Sequence, residues 1–176
     1  MRFKVFKYNK VKSTNFTAIR LIRSIKISSG MIISELQGQG RGQYGRKWIS
    51  QKGNLFVSFF YKIDNLALSF DKLTKINCLL VKKLISLYYK KKITYKKPND
   101  LLIDKKKICG ILQETINKLN ERYLVVGIGI NLKKNPNIKN YPTTNLKDLT
   151  GLIISKRKVE NELKKIFELG ISKLKK

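Results

Sequence analysis

Short hydrophobic runs and amphipathic stretches follow one another closely along the chain, a pattern that predicts interleaved strands and helices. The predicted strands either alternate apolar and polar residues or are continuously apolar, and one of them is rich in aromatic and branched side chains. They are expected at residues 2–8, 31–36, 54–61, 93–96, 101–103, 108–117 and 122–130. A polar hairpin at 117–121 joins the last two.

Three segments have apolar residues at helical spacing. The first follows Ser13, Thr14 and Asn15, residue types that cap helix N-termini. Its inner face is expected to hold Phe16, Ile19, Ile22 and Ile25. The second begins at Ser69 and is expected to run to about Lys90. Its apolar residues are Leu73, Ile76, Leu80, Leu84 and Leu87. The third helix is predicted over residues 156–174.

Neighbouring strands are joined by hairpins although helices lie between other strands. This combination favours an α/β layer with a mixed, largely antiparallel sheet and flanking helices over a doubly wound parallel sheet. The chain has 176 residues, the length of one domain, and no internal repeat or long linker. The sequence therefore predicts a single domain over residues 1–176.

Composition excludes several kinds of chemistry. The chain contains no histidine, so Ser-His-Asp and Cys-His catalysis and His-liganded zinc are excluded. Cys78 and Cys109 lie in apolar runs without metal-ligand spacing and are predicted to be buried thiols in a reducing compartment. No apolar run has the roughly 18 to 20 residues of a membrane span, and the first residues lack the apolar block of a signal peptide. We therefore expect a cytoplasmic location and no membrane partner.

The formal net charge is +28, from 39 Lys and Arg against 11 Asp and Glu. A field of this size attracts nucleic acids, acidic proteins or anionic small molecules. The basic residues are mostly lysines spread along the chain beside many isoleucines and asparagines, a mixture that codon bias in an AT-rich genome also produces. Charge alone therefore leaves the partner open.

The most informative segment is GQGRGQYGRKW at residues 38–48, directly after a predicted strand. Its glycines permit positive φ and close approach of a ligand to the backbone. Its arginines suit carboxylates and phosphates, and its tryptophan offers a face to a flat base. The segment predicts a loop that binds an anion carrying an aromatic ring, such as a nucleotide. A glycine-rich hairpin with solvated arginines is the alternative.

Three further segments have chemistry of their own. KKPND at 96–100 presents an amide beside a carboxylate, Lys107 begins the apolar segment KICGILQE, and GIGIN at 127–131 ends a buried strand with glycines and an asparagine. Each alone has an ordinary structural interpretation: a turn, a solvated lysine run and a packing compromise.

Together, in this order and spacing, these segments resemble the catalytic domain of biotin–protein ligases. The resemblance runs from about residue 5 to 135, and more loosely through PTTNL at 142–146 into the last helix. The matching pieces are STN at 13–15, Gln37, GRGQYGRKW at 40–48, KKPND at 96–100, KICGIL at 107–112 and GIGIN at 127–131.

The resemblance implies a fold similar to that of class II aminoacyl-tRNA synthetases and a reaction in two steps. Biotin carboxylate attacks the α-phosphate of ATP to give biotinyl-5'-AMP and pyrophosphate, and a lysine of a biotin carboxyl carrier domain then attacks the mixed anhydride. Biotin and ATP are thus the implied substrates, with Mg²⁺ held mainly by phosphate oxygens. Positive charge is needed where two anions meet, and a closing loop protects the labile adenylate.

The resemblance also implies roles for particular residues. Lys107 bridges the biotin carboxylate and the α-phosphate and is catalytic together with Arg41, while Gln37 binds the ureido ring. The implied biotin site comprises Ser13, Thr14, Asn15, Gln37, Arg41, Gly42, Gln43 and Lys107. The implied ATP site comprises Arg46 on the phosphates, Trp48 against adenine, and Asn99 and Asn131. Asp100 is expected either to help with magnesium or to position Lys107.

Two positions depart from the commonest form of the family. Gln43 stands where an arginine is usual, which removes one cation near the carboxylate, and Lys97 replaces a tryptophan.

We also expect that no winged-helix DNA-binding domain and no C-terminal SH3-like domain accompany the catalytic domain. The implied partner is a carrier domain of acetyl-CoA carboxylase or a related enzyme. Specific DNA binding is not expected, and relatives suggest a homodimer through sheet edges.

Three alternatives remain. A lipoate or octanoate ligase of the same fold would normally have a histidine after a different glycine loop, and this chain has none. A non-catalytic, basic nucleic-acid-binding module is the alternative from a different class. A degenerate homologue that binds without turnover is the third, against which the retention of Lys107, Arg41 and Arg46 argues.

Overall fold

The computed structural model of the chain describes residues 1–24, 27–64, 68–139 and 141–174, and these form one layer of strands with helices on both faces. The strands are β1 (Lys4–Val11), β2 (Ser29–Gln37), β3 (Leu55–Lys62), β4 (Thr94–Lys96), β5 (Asp100–Ile103), β6 (Lys106–Lys118) and β7 (Glu121–Ile130). The helices are α1 (Thr14–Ser24), α2 (Phe70–Ile85), α3 (Leu146–Thr150) and α4 (Lys156–Leu174).

The strands form a single sheet in the order β1-β2-β3-β7-β6-β5-β4. β1 and β2 are parallel, as expected for strands connected through a helix, and every other neighbouring pair is antiparallel. The predicted α/β architecture with a mixed, largely antiparallel sheet and flanking helices is therefore confirmed.

The alternation of side chains along β3 separates two hydrophobic cores. Val57 and Phe59 belong to the larger core, which includes the inner faces of α2 and α4. Phe60 belongs to the smaller core beneath α1, with Ala18 and Ile22. Because successive strand residues face opposite sides, one continuous apolar run supports helices on both faces of the sheet.

The inner face of α1 differs from the prediction. Phe16 is 40% exposed and Ile19 only partly buried, whereas Ala18 and Ile22 are buried and Ile25 lies outside the described residues. The helix is rotated because Thr14 and Asn15 face the sheet, and residues four apart lie on one helix face. The polar start of the helix therefore decides which apolar residues are buried.

The second helix is capped by Ser69 as predicted but ends at Ile85, earlier than Lys90, and Leu87 is exposed. After the helix ends, Tyr89 packs in the core, while Tyr88 is partly buried and its hydroxyl reaches Glu162 of α4. The helix α3, capped by Asn145, was not predicted.

Both cysteines are buried and unpaired, as predicted. Burial, with a smaller contribution from Asp100, raises the pKa of the Cys78 thiol to about 12, so this thiol is uncharged and unreactive at neutral pH. Among the described helices, none has the length and apolar character needed to cross a bilayer.

The contact between α4 and the sheet generates a stability prediction. Phe167 is fully buried, and its ring stacks on that of Phe59 with centroids 4.2 Å apart. Phe167→Ala should lower the free energy of unfolding by about 3–5 kcal/mol, measured by denaturant titration, because it removes this contact and leaves a cavity. Leu169→Ala is the matched control, since Leu169 lies on the same helix but is 65% exposed. Equal losses in the two variants would contradict the assigned packing.

Candidate active site

A cavity of about 680 Å³ opens on the α1 side of the sheet, between the start of α1, the loop after β2 and the turn before β5. Most residues that the sequence assigned to biotin, ATP or magnesium line it. These are Ser13, Thr14, Asn15, Gln37, Arg41, Gly42, Gln43, Arg46, Trp48, Asn99, Asp100 and Lys107. Asn131 is not among the described lining residues. The fold thus brings four distant segments of the sequence to one place.

Glycines of β6 and β7 form the floor of the cavity. Gly110 and Gly129 are paired across the two strands. A Cβ atom at Gly129 would lie 2.4 Å from Trp48 Cε2, and one at Gly110 would lie 2.8 Å from Trp48 Cζ3. The indole of Trp48 therefore rests directly on the sheet, where any side chain would exclude it.

Gly127 gives the same clearance to Asn15 at the start of α1. A Cβ atom there would lie 2.2 Å from Asn15 Oδ1. Ser58 of β3 donates to this oxygen at 2.6 Å, and Asn15 Nδ2 donates to Leu112 O at 3.2 Å. The amide of Asn15 is therefore oriented by partners on both sides.

Gln37 connects the start of α1 to the loop after β2. Its Oε1 accepts from Thr14 N at 2.9 Å and from Thr14 Oγ1 at 3.1 Å, and its Nε2 donates to Ser50 Oγ at 3.1 Å. Thr14 Oγ1 also lies 2.7 Å from Ser58 Oγ. Polar residues that the sequence assigned to biotin thus form one continuous hydrogen-bonded network.

The loop at residues 38–48 is a hairpin folded over the cavity. Arg41 and Lys47 form a β-bridge, and Gly42 N donates to Arg46 O at 2.7 Å. The turn contains Tyr44 and Gly45, both at positive φ. The segment thus has the hairpin form of the alternative interpretation, but Arg41 and Arg46 line the cavity as well as contacting solvent.

Glu114 is a residue of this region that the sequence analysis did not select. Its Oε1 accepts from Arg41 at 2.7 Å, and its Oε2 accepts from Asn15 Nδ2 at 2.8 Å. It therefore connects the hairpin to the start of α1. One sequence signal was available for this residue: it is a single acidic residue at the end of the apolar segment that begins at Lys107.

Lys107 forms an ion pair near the floor of the cavity. Its Nζ lies 2.8 Å from Asp100 Oδ1, with side-chain exposures of 19% and 12%. The same Nζ lies 5.4 Å from the ring centroids of Trp48 and of Tyr141, within the range of cation–π attraction. Tyr141 in turn donates to Asp100 Oδ2. The ammonium is thus surrounded by a carboxylate and two aromatic rings.

The described lining is strongly cationic. It contains Arg41, Arg46, Lys47, Lys96, Lys97 and Lys107, and its only carboxylate is that of Asp100. Such walls favour an anionic ligand. Lys97 and Gln43, the two departures from the commonest family form, both lie on this surface. Across the described residues there is no cluster of three or more Cys, Asp or Glu able to hold a metal ion.

Asn99 and Asn131 have structural contacts. Asn99 Nδ2 donates to Ile111 O at 2.6 Å, and Ile111 N donates to Asn99 O at 3.0 Å, so Asn99 fixes the turn to β6. Asn131 is buried, and its Nδ2 donates to Thr144 O at 3.0 Å. Its Oδ1 has no hydrogen-bond partner among the described residues.

Comparison with protein families gives a match over most of the chain. The model of the biotin/lipoate A/B protein ligase family matches residues 8–131. The bifunctional ligase/repressor BirA of Escherichia coli is 32% identical over 124 residues, which are 69% of this chain and 38% of that protein. The biotin–[acetyl-CoA-carboxylase] ligase of Paracoccus denitrificans is 28% identical over 130 residues, covering 72% of this chain and 54% of that protein. The chain therefore spans about two fifths to one half of these relatives.

Solved structures of biotin protein ligases have the same fold as this chain. The biotin protein ligase of Aquifex aeolicus, solved with biotin and ATP, superposes with a TM-score of 0.83 at 26% identity. The alignment covers 98% of this chain and 72% of that one. The biotin protein ligase of Leishmania major, solved with biotinyl-5-AMP, has the same fold, with a TM-score of 0.79.

The glycine floor generates a prediction that uses Trp48, the only tryptophan of the chain. In Gly129→Ala, the new methyl group would overlap the indole, so Trp48 should leave the floor and its fluorescence emission should move to longer wavelength. The overlap should also lower the free energy of unfolding by about 1–3 kcal/mol.

Gly38→Ala is the control, because a Cβ atom there meets nothing nearer than 3.8 Å. Its emission should match that of the unmodified protein. An unchanged spectrum in Gly129→Ala would show that Trp48 does not rest on the sheet.

Proposed function

The chain belongs to the biotin/lipoate A/B protein ligase family, and we propose that it is the catalytic domain of a biotin–protein ligase. It activates biotin as biotinyl-5'-AMP and transfers the biotinyl group to a lysine of a biotin carboxyl carrier domain. One observation carries the proposal: a single cavity contains a fixed lysine ammonium, a cationic hairpin and an indole face over a glycine floor. The names of its relatives and the biotin and ATP of the Aquifex aeolicus structure support the same conclusion.

In the first step, a biotin carboxylate oxygen attacks the α-phosphorus of ATP. The bond between this phosphorus and the bridging oxygen breaks, and pyrophosphate leaves. Two anions must approach each other, so the reaction needs positive charge at the point of contact. Lys107 has this role, because its Nζ is held at the floor by Asp100 and is flanked by Trp48 and Tyr141. Arg41 assists from the hairpin.

In the second step, the amine of the carrier lysine attacks the carbonyl carbon of the mixed anhydride. The bond from this carbon to the phosphate oxygen breaks, AMP leaves, and the amine loses a proton. The hairpin at residues 38–48 covers the cavity and excludes water from the adenylate between the two steps. The adenylate itself is sufficiently activated that the transfer requires no histidine.

The biotin end of the cavity is the hydrogen-bonded network of Thr14, Asn15, Gln37 and Ser58, with Ser13 beside it on the lining. Its amides and hydroxyls supply donors and acceptors of the kind that a ureido ring requires. The neighbouring Gly42 and Gln43 close this end from the hairpin. The side chains of this network are held by partners within the protein, which reduces the ordering cost of binding.

The nucleotide end is formed by Arg46, Trp48 and Asn99. The indole face suits adenine, and Arg46 suits the phosphates. Asn131 acts indirectly. Its side chain is hydrogen-bonded to the backbone of Thr144, and the backbone around Thr144 is in turn hydrogen-bonded to that of Lys107.

Magnesium would be held by the triphosphate and would neutralise charge on the departing pyrophosphate. The donor set of the described residues fits a substrate-borne ion better than a resident one. Asp100 is the only carboxylate of the described lining, and its two oxygens are engaged by Lys107 and Tyr141. Asp100 therefore positions Lys107.

Biotin-dependent exchange of labelled pyrophosphate into ATP tests the proposed function directly. The purified protein with Mg²⁺ should catalyse exchange with biotin and not with lipoate, and it should label an added carrier domain. Exchange with lipoate alone would indicate the related lipoate ligase activity. Absence of exchange with either acid would overturn the proposed function.

Lys107→Ala should reduce the exchange rate about 10²–10³-fold, the usual effect of removing one group that stabilises transition-state charge. Lys106→Ala is the matched control, because Lys106 is the neighbouring, exposed lysine on the same strand. It should retain the full rate. Comparable losses in both variants would show that net charge, and not the placed ammonium, supports the reaction.

A further inference from the structure

Lys107 is held by a segment that follows it by more than thirty positions in the sequence, residues 141–144. Lys107 N donates to Pro142 O at 2.9 Å, and Thr144 N donates to Lys107 O at 3.0 Å. These bonds form a parallel bridge between Lys107 and Thr143. The backbone of the segment therefore places Tyr141 beside the Lys107 side chain.

The side chain of Tyr141 contacts both members of the ion pair. Its hydroxyl donates to Asp100 Oδ2, while Asp100 Oδ1 lies 2.8 Å from Lys107 Nζ. Its ring centroid lies 5.4 Å from Lys107 Nζ and 5.1 Å from Lys96 Nζ. One phenol thus fixes the carboxylate with its hydroxyl and lies within cation–π range of two ammonium groups.

We propose that Tyr141 is a positioning residue for Lys107, acting through Asp100, in the adenylation reaction. The inference rests on the proposed function and deepens it. The terminal torsion of an aspartate is broad, so a carboxylate with one engaged oxygen can rotate and move its ammonium partner. The Tyr141 hydroxyl on the second oxygen fixes the carboxylate plane. The ammonium of Lys107 is then oriented by its contact with Asp100, and its remaining N–H groups are available for ligand oxygens.

The phenol is suited to remain a donor. Burial, followed by the hydrogen bond to Asp100, raises the pKa of Tyr141. The hydroxyl is therefore protonated at any pH at which the enzyme would work. A donor on Asp100 also shares the negative charge of the carboxylate, which leaves more of the positive charge of Lys107 for a ligand anion.

Tyr141→Phe should lower kcat for biotin-dependent pyrophosphate exchange about ten-fold, since small misplacements of a catalytic group cost one to two orders of magnitude. The KM values for biotin and ATP should change less than two-fold, because the phenyl ring still fills its place. Thermal denaturation should show an unchanged Tm. This split between kcat and KM is not expected from a merely structural role.

Tyr88→Phe is the matched control, because it removes a phenol that also donates to a carboxylate, that of Glu162, but does not line the cavity. It should exchange at the rate of the unmodified protein. A ten-fold loss in this variant would attribute the Tyr141 effect to general loosening and would overturn the inference.

A double-mutant cycle tests whether Tyr141 acts through Asp100. Adenylate formation, measured in single-turnover experiments at high enzyme concentration, should be equally slow in Asp100→Asn and in Asp100→Asn combined with Tyr141→Phe. Additive losses would overturn the inference, as would an undiminished kcat in Tyr141→Phe. If the unmodified protein shows no exchange, the proposed function fails and the inference with it. An active protein that is indifferent to Tyr141→Phe removes the inference alone.

Discussion

The absence of side chains at three positions on β6 and β7 determines the rest of the site. A Cβ atom at Gly110, Gly127 or Gly129 would fall within 3 Å of Trp48 or Asn15. These clearances let the indole and the start of α1 descend to the backbone of the sheet. Glycine weakens a strand, because it adds conformational entropy to the unfolded chain and packs no side chain. Here the indole of Trp48 and the amide of Asn15 occupy the space, so the strands are covered without filling the cavity.

The polar network above this floor also contributes both to the fold and to the cavity. Asn15, Ser58 and Thr14 are buried, and burial of a polar group is costly unless it is hydrogen-bonded. Each has partners, through Leu112 O on one side and Gln37 on the other. A satisfied network has one low-energy arrangement. The same bonds that stabilise the start of α1 therefore present donors and acceptors to the cavity in a fixed geometry.

The sequence predicted the strands well, and it selected residues that the fold brings to one cavity, because these signals are local or exceptional. Period-two alternation and apolar runs identify strands from a few residues, and glycines beside arginines and a lone tryptophan are rare enough to mark a site. The predictions failed where tertiary contacts decide which residues are buried and which are paired. Phe16 is exposed because polar residues, not apolar ones, orient α1. The contacts of Glu114 to Arg41 and of Tyr141 to Asp100 join residues 73 and 41 positions apart. No local pattern records such pairs.

Two ion pairs of the site differ in how readily the cation can leave its carboxylate for a ligand anion. Arg41 has a side-chain exposure of 48%, and an exposed pair such as Arg41–Glu114 contributes little net stability, because water solvates both charges when they separate. Arg41 can therefore leave Glu114 for a ligand anion at small cost. Lys107 and Asp100 are largely buried, so removing one partner would leave an uncompensated charge. Lys107 consequently stays at the floor and the ligand must come to it, whereas the hairpin carrying Arg41 is free to follow the ligand. The site thus combines a fixed cation with one that can change partners, which suits the proposed reaction, whose intermediate must be bound, enclosed and then released to a second substrate.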